Sequence, residues 1–328
     1  MFVSKSVSPV LKILFVTNMF PSIARPAFGI FVKEQIDQLG RSIKFNHDVY
    51  FINARDKGNL QYLLSLIRIP FILRRNRYDV VHIHYGISGL FLLLFKPSAK
   101  VYITLHGADI LKEQGRKWQI LLTKRIVRRA DKVIILSKEM EDVVSRLGVP
   151  YEIIPCGVDA DFFEPASKPD KQVKEGKTIV FPGDPEVQVK NYPLFMDVIN
   201  EIRSQFGMTV EVRCLVNLTR EGVKELMNIA DCLMMTSFSE GSPQTLKEAL
   251  ACGLPVVSVN VGDAQCMLEN IPGCYISHSY DVDELSRLVL LSFSADRKAI
   301  RKTFLDKRIY DHESVIRRLS NNYLESYN

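Results

Sequence analysis

What this chain of 328 residues lacks already narrows its use. Its six cysteines, at 156, 214, 232, 252, 266 and 274, form no C-x-x-C pair, which suits a reducing cytosol better than a disulfide framework. The longest apolar stretch, Ile87 to Phe95, has about half the length that a membrane span requires. Near the N-terminus the run Ile13-Leu-Phe-Val16 is too short for the apolar core of a secretory signal. There is no low-complexity tract and no fixed-period repeat, so fibrous and solenoid classes drop out. The dinucleotide fingerprint G-x-G-x-x-G is absent. No nucleic-acid recognition module or aromatic stacking set is present, so nucleic acid is not an expected partner. What remains, with 47% apolar and 24% charged residues, is a globular composition long enough for two domains. The expected protein is soluble or peripherally attached, and cytoplasmic.

Charge is unevenly placed. Residues 1–165 hold 24 Lys/Arg against 15 Asp/Glu, whereas the remainder holds 19 against 22. A basic first half points to an acidic partner on that side, such as lipid headgroups, a polyanion or a phosphate-linked acceptor. Two clusters account for much of it, at 68–77 (RIPFILRRNR) and 112–129 (KEQGRKWQILLTKRIVRR). A basic amphipathic helix of the second kind fits an anionic membrane surface, and fits equally a core helix with a solvated basic face.

Strand-like apolar runs alternate with helical periodicity from end to end. Strands are expected near 11–17, 48–53, 79–83, 100–105, 132–136, 151–154, 178–182, 209–215, 231–236, 255–259 and 273–276. Helices are expected at 29–40, 59–75, 86–95, 117–130, 138–147, 191–206, 219–229, 243–252, 281–293 and within 296–326. Such alternation gives parallel sheets covered by helices on both faces. The polar stretch at 164–177 (EPASKPDKQVKEGK) reads as a linker. The expected organisation is a first Rossmann-like domain over 1–165 and a second over 166–310. Residues 311–328 read as a C-terminal helix that can cross back to the first domain. In doubly wound sheets ligands bind beyond the carboxyl ends of the strands, so the loops after strands are where chemistry belongs.

The most informative stretch is Glu240 to Asp263, EGSPQTLKEALACGLPVVSVNVGD. Ser242-Pro243 reads as a helix start, with Ser as N-cap and Pro at the first helical position. Gly253 and Pro255 stop that helix. A helix start offers unpaired amides and positive potential to an anion such as phosphate. Glu240 before that start and Glu248 inside the helix can accept hydrogen bonds from neutral hydroxyls flanking the phosphate. An anion cradle with two hydroxyl readers is what a nucleotide sugar requires.

Other loops are less specific. Gly29 opens a helix after the first strand, as an ordinary turn or as a close backbone approach to a ligand. Leu105-His106-Gly107-Ala108-Asp109 follows the fourth strand, where His106 can project into a cleft or serve the structure. His82 and His84 share one strand face, and His84 lies nearer the strand end. No third ligand stands at metal-site spacing, so no metal is expected. Lys190 precedes a helix start and can add a point charge to a diphosphate, or remain a solvated loop lysine. Asn18 joins His84 and Asp109 as an acceptor-side candidate. Asp159-Ala-Asp161 imitates a metal-binding D-x-D but reads as a packed turn.

Together, His106-Gly-Ala-Asp109, Ile154-Pro-Cys-Gly-Val-Asp159 with Phe163, Lys190-Asn191, and Glu240-x7-Glu248 followed by Ala-Cys-Gly-Leu-Pro resemble the family 4 glycosyltransferases of the GT-B fold. The form SFSEGSPQTLKEALACGLPVVS looks like bacterial members that build surface polysaccharides and teichuronic-type polymers. The resemblance implies two facing Rossmann-type domains and retaining transfer of a hexose-type unit. The donor would be a nucleoside diphosphate sugar, the acceptor a glycan or a lipid-linked chain, with no cofactor and no obligatory metal. It implies Glu248 on the ribose hydroxyls and Glu240 on a donor-sugar hydroxyl. The amides of Gly241, Ser242, Pro243, Gln244 and Thr245 would lie around the sugar or phosphates, in a donor set that includes Gly29; Pro243 itself has no N–H. Lys190 would neutralise the diphosphate, and His106 would contact the sugar near the reacting centre. Two departures stand out. No Arg accompanies Lys190 in Phe181-Pro-Gly-Asp-Pro185, and only one helix fits between strands 209–215 and 231–236. A nucleotide-sugar epimerase and a non-catalytic scaffold of the same fold remain alternatives.

Overall fold

The computed structural model describes residues 10–25, 28–111, 116–166 and 176–325. In chain order the first half gives β1 (Leu11–Thr17), α1 (Ile30–Ser42), β2 (Phe45–Phe51), α2 (Ala54–Lys57), α3 (Leu60–Arg75) and β3 (Val80–His84). A 3-10 helix over Gly86–Leu93 follows, then β4 (Lys100–Thr104), α4 (Lys117–Val127), β5 (Lys132–Ile135), α5 (Lys138–Val144) and β6 (Tyr151–Ile153). The second half gives β7 (Lys177–Phe181), α6 (Tyr192–Phe206), β8 (Val210–Cys214), α7 (Arg220–Ile229), β9 (Cys232–Met235) and α8 (Gln244–Ala251). It ends with β10 (Val256–Val259), α9 (Ala264–Leu268), β11 (Tyr275–Ser277), α10 (Val282–Ser292), α11 (Arg297–Asp306) and α12 (His312–Glu325).

Two compact α/β units result. The first takes the described residues up to Ile135, Val143–Ile154 and those from Ile316 on; the second takes Leu136–Asp142 and Pro155–Val315. The first holds a six-stranded sheet in the order β2-β1-β3-β4-β5-β6, and the second a five-stranded sheet in the order β11-β10-β9-β7-β8. All pairs are parallel. Every residue of β3, β9 and β10 is buried, because helices cover both faces of a parallel sheet and near-continuous apolar runs fill it. On α1 the buried residues Val32, Ile36 and Leu39 recur at helical spacing. In the second core Phe181 meets Tyr192 and Phe195 edge-on, with ring centroids 4.9 and 5.0 Å apart. Phe181 and Phe195, both fully buried, each contribute about 2–3 kcal/mol of apolar burial.

All eleven expected strands form. The expected helix at 86–95 is instead a tight 3-10 segment kinked at Gly89. Its glycines explain the path: a Cβ at Gly86 would stand 2.2 Å from Thr123 Cγ2, and one at Gly89 2.8 Å from Ile126 Cγ2, so this segment lies directly on α4. The C-terminal residues from Ile316 on belong to the first unit. There Arg318 donates to Glu152 Oε1 at 3.0 Å and to the Ile153 carbonyl at 2.6 Å, and Tyr102 Oη donates to the Asn322 carbonyl at 2.7 Å. The 112–115 part of the second basic cluster lies outside the described residues, as does 167–175 of the linker.

Candidate functional site

In the second unit the loops after β7 and β9 are tied together before any charged group is considered. Thr236 Oγ1 donates to the carbonyls of Lys190 and Asn191 at 3.2 and 3.0 Å, and the Phe238 amide donates to the Val189 carbonyl at 2.9 Å. Asn191 caps α6 in the left-handed region, at φ 53°. Gly183 leaves room for the lysine stem, since a Cβ there would lie 3.3 Å from Lys190 Cε. These constraints bring Lys190 Nζ to 2.6 Å from Glu240 Oε1, and Ser237 Oγ donates to the same oxygen at 2.8 Å. Two residues fifty apart in sequence thus form one partly buried ion pair.

The start of α8 differs from expectation. Pro243, not Ser242, is the N-cap residue, and no side chain caps the helix. The Ser242 hydroxyl is engaged elsewhere: it donates to Asp263 Oδ2 at 2.7 Å and accepts from Lys247 Nζ at 2.7 Å. Lys247 is fully buried, and its ammonium also lies 3.4 Å from the Ser242 carbonyl. Gly262 packs against the same loop, where a Cβ would stand 2.7 Å from the Gly241 carbonyl oxygen. Burial pushes the Asp263 carboxyl up to about 6, opposed by the Lys247 charge and the Ser242 hydrogen bond. The loop from Glu240 to Pro243 is therefore held from behind by a Lys-Ser-Asp chain, and the helix start keeps its leading amides uncapped by side chains. The sequence reading missed Lys247 and Asp263, because a lysine on an apolar helix looks solvated until packing buries it.

Glu248 is buried on α8, and Arg220 Nη1 at the start of α7 reaches its Oε1 at 3.4 Å. The Arg220 guanidinium also lies over Phe162 and Phe163, 5.2 and 4.8 Å from the ring centroids. Arg220 likewise escaped the sequence reading; it stands twenty-eight residues before Glu248, with no motif to link them. Gln244 Nε2 donates to the Gly157 carbonyl at 2.9 Å, Thr245 is half-buried in the first turn of α8, and Gly241 is buried. Asp159 behaves as the packed turn expected of it, accepting from the Phe162 amide at 2.9 Å.

In the first unit the histidines gather. His84 Nδ1 lies 3.3 Å from His106 Nε2, His82 Nε2 lies 2.7 Å from Thr104 Oγ1, and His82 Nδ1 meets the Tyr323 hydroxyl. Burial holds His82 and His106 down to about 3 and His84 well below the ordinary imidazole value, so all three are neutral near pH 7. Asp109, expected on the acceptor side, is instead fully buried, accepting from the Gly86 amide at 2.8 Å and the His106 amide at 3.0 Å. It shapes the His106 loop and offers no exposed oxygen. His84, expected to line the ligand site, is also fully buried, because β3 is covered on both faces. Gly29 has φ 71°, and a Cβ there would stand 2.3 Å from the Met19 carbonyl carbon, so only glycine fits. Asn18 Nδ2 donates to Tyr62 Oη at 2.7 Å. Among the described residues no group of three or more His, Cys, Asp or Glu is placed to hold a metal ion.

Comparison with known proteins identifies the family and the fold. Residues 30–162 match the profile Glycosyltransferase Family 4, and residues 197–302 match Glycosyl transferases group 1. The UDP-Gal:alpha-D-GlcNAc-diphosphoundecaprenol alpha-1,3-galactosyltransferase of Escherichia coli is 22% identical over 273 residues, covering 70% of each chain. TuaC of Bacillus subtilis, a glycosyltransferase named for teichuronic acid biosynthesis, is 21% identical over 327 residues, covering 77% of this chain and 82% of that one. Among solved structures, sucrose-phosphate synthase from Thermosynechococcus elongatus superposes with a TM-score of 0.79 at 15% identity, covering 97% of this chain and 99% of that one. HepE of Anabaena in complex with UDP gives 0.71 at 13% identity, covering 96% and 100%. With one profile on each α/β unit, relatives of that kind and the same fold in these structures, the chain belongs to the family 4 glycosyltransferases of the GT-B fold, enzymes that draw on nucleotide sugars.

Proposed function

We propose that the enzyme transfers a hexose-type unit, with retention of anomeric configuration, from a nucleoside diphosphate sugar to a glycan or lipid-linked acceptor. The observation that carries this reading is the Lys190–Glu240 pair, held by Thr236 and Ser237 next to the start of α8, which no side chain caps. A cation, a carboxylate and helix-start amides converge there, which is the chemistry a sugar diphosphate presents. Lys190 neutralises the diphosphate, which competes with Glu240 for the ammonium. Glu240 then accepts from a donor-sugar hydroxyl, and the amides from Gly241 to Thr245 hold the sugar or phosphates. Glu248 reads the ribose, with Arg220 fixing its carboxylate. His106, neutral by burial, contacts the donor sugar and can accept or donate one hydrogen bond without adding charge. Charge builds on the leaving diphosphate as the glycosidic bond opens, so the preorganised cation and amides supply most of the stabilisation. No metal and no cofactor take part. The UDP bound by HepE and the diphosphoundecaprenol named in the Escherichia coli relative support a nucleotide donor and a lipid-linked acceptor. The basic segments 68–77 and 112–129 favour peripheral attachment to an anionic, cytoplasm-facing membrane surface.

Calorimetric titration with UDP, GDP, ADP and their sugars tests the donor site. Lys190→Ala and Glu248→Ala should each weaken binding by about tenfold or more, since a charge-assisted hydrogen bond contributes about 1.5–3 kcal/mol. Undiminished affinity in both variants removes the donor assignment. Proton NMR of the product decides stereochemistry, and an inverted anomer ends the retaining reading.

A further inference from the structure

The segment from Lys57 to Ala130 carries 14 Lys/Arg and three Asp/Glu, a net of +11 against +6 for the whole chain, so everything outside it sums to −5. Neither α3, the 3-10 helix nor α4 contains a single acidic residue. The same three elements also leave large apolar side chains uncovered. On α3, Leu60, Leu63, Ile67 and Phe71 are all exposed, Ile67 to 74%. At about 100° per residue these four fall within roughly 80° of arc, opposite the buried Ile69, so they form one stripe. Arg68 and Arg75, both exposed, lie together along one edge of that stripe. Leu94, 77% exposed, follows the 3-10 helix, and Arg74 lies over the neighbouring Phe95 ring at 5.0 Å. On α4 the exposed Trp118 and Leu121 give way along the helix to Arg125, Arg128 and Arg129.

An ordinary surface helix turns its apolar stripe inward. Here α3 buries Ser65, Ile69 and Pro70 and turns a second apolar stripe outward, the kind of contiguous exposed patch that marks an interaction surface. We infer that the outward face of α3, with Leu94 and the Trp118 end of α4, docks on an anionic lipid bilayer. The apolar stripe enters the headgroup–acyl boundary and the arginines pair with lipid phosphates. Charge complementarity selects this occupant: a patch without carboxylates on its three elements and with a basic edge fits anionic headgroups, and it repels a second copy of itself. Trp118 suits the boundary, where its ring is apolar and its N–H stays wet. The Tyr62 hydroxyl in the first turn of α3 accepts from Asn18, so the docking helix touches a residue expected on the acceptor side. This inference rests on the peripheral placement proposed above and assigns it to named side chains, most of them apolar.

The test is co-sedimentation of the full chain with vesicles of phosphatidylcholine alone, or of phosphatidylcholine with phosphatidylglycerol. The wild type should pellet with the anionic vesicles only. The variant Leu63→Glu/Ile67→Glu/Phe71→Glu and the variant Arg68→Gln/Arg75→Gln should each lower the bound fraction, the first by about tenfold or more. Because all five side chains are exposed, both variants should melt within a few degrees of the wild type. A wild type that ignores anionic vesicles overturns the inference, as does unchanged binding by the triple-Glu variant. A concentration-dependent dimer seen by sedimentation velocity, abolished by that variant and unaccompanied by vesicle binding, overturns it in favour of a second copy. Donor titration of the same samples keeps the two readings apart. Intact donor affinity with no vesicle binding removes the docking surface alone; vesicle binding with no donor affinity removes the transferase reading alone.

Discussion

Lys247 shows how much a single buried residue can decide. Its ammonium is fully buried and bonded to Ser242, which in turn bonds Asp263, so the hydroxyl expected to cap α8 is recruited into a three-residue chain behind the loop proposed to bind the donor. Removing one charge from a buried arrangement leaves the other uncompensated, at a cost of about 3–5 kcal/mol. Lys247→Met should therefore lower the unfolding free energy by about 3 kcal/mol in urea titrations. The double variant Lys247→Met/Asp263→Asn should cost less than the two single changes summed, because they share one interaction. Additive losses in that cycle would show that the chain carries no coupling. Donor affinity should fall in Lys247→Met and recover in part in Lys247→Arg, because the loop amides depend on the Ser242 carbonyl being held.

Among the elements, α12 carries long-range consequences within the first unit. Tyr323 is fully buried against His82 and packs edge-on with Tyr102 at 5.4 Å between centroids, while Asn322 and Arg318 both reach Glu152. Deleting a buried aromatic costs about 3–5 kcal/mol, and here it also strips a partner from a buried imidazole. Tyr323→Ala should lower the melting temperature by many degrees, whereas Glu325→Ala, at the exposed end of the same helix, should leave it nearly unchanged. Equal melting of the two variants would mean that this helix contributes little to the first unit. The helical periodicity of 296–326 was legible, but not the partners of its last two turns, because those contacts span up to 241 residues.

For the molecule as a whole, buried titratable groups set the response to acid. His82, held down to about 3 when folded, takes a proton in the unfolded chain near 6.5, so the stability it contributes is present above 6.5 and is lost as pH falls towards 3. At pH 5 that loss is about 2 kcal/mol for His82 alone, and His106 acts in the same direction. Asp109 works the other way. Its folded value of about 6 lies above its unfolded one, so its contribution is fully present only in acid and is lost as pH rises through 6. Between pH 7 and pH 5 it returns about 1 kcal/mol, less than the histidines remove. Scanning calorimetry should show the melting temperature falling from pH 7 to pH 5; a rise over that interval would mean that the imidazoles are not neutral when folded.

The sequence alone determined the alternation of strands and helices, hence two parallel-sheet α/β domains, because a parallel sheet covered on both faces writes its strands as continuous apolar runs. It also singled out the element on which the proposed donor site rests, since Glu240, Glu248 and the helix between them are local in the chain, and it flagged the basic first half. Only the tertiary structure decided which distant groups meet: Lys190 with Glu240, Arg220 with Glu248, and Ser242 with Asp263 rather than with its own helix. It alone buried His84 and Asp109, and it alone turned the Leu60–Phe71 stripe of α3 outward. Residue spacing fixes which side chains share a face of an element. Which face turns to the core depends on the other elements packed against it, and that information is spread over the whole chain.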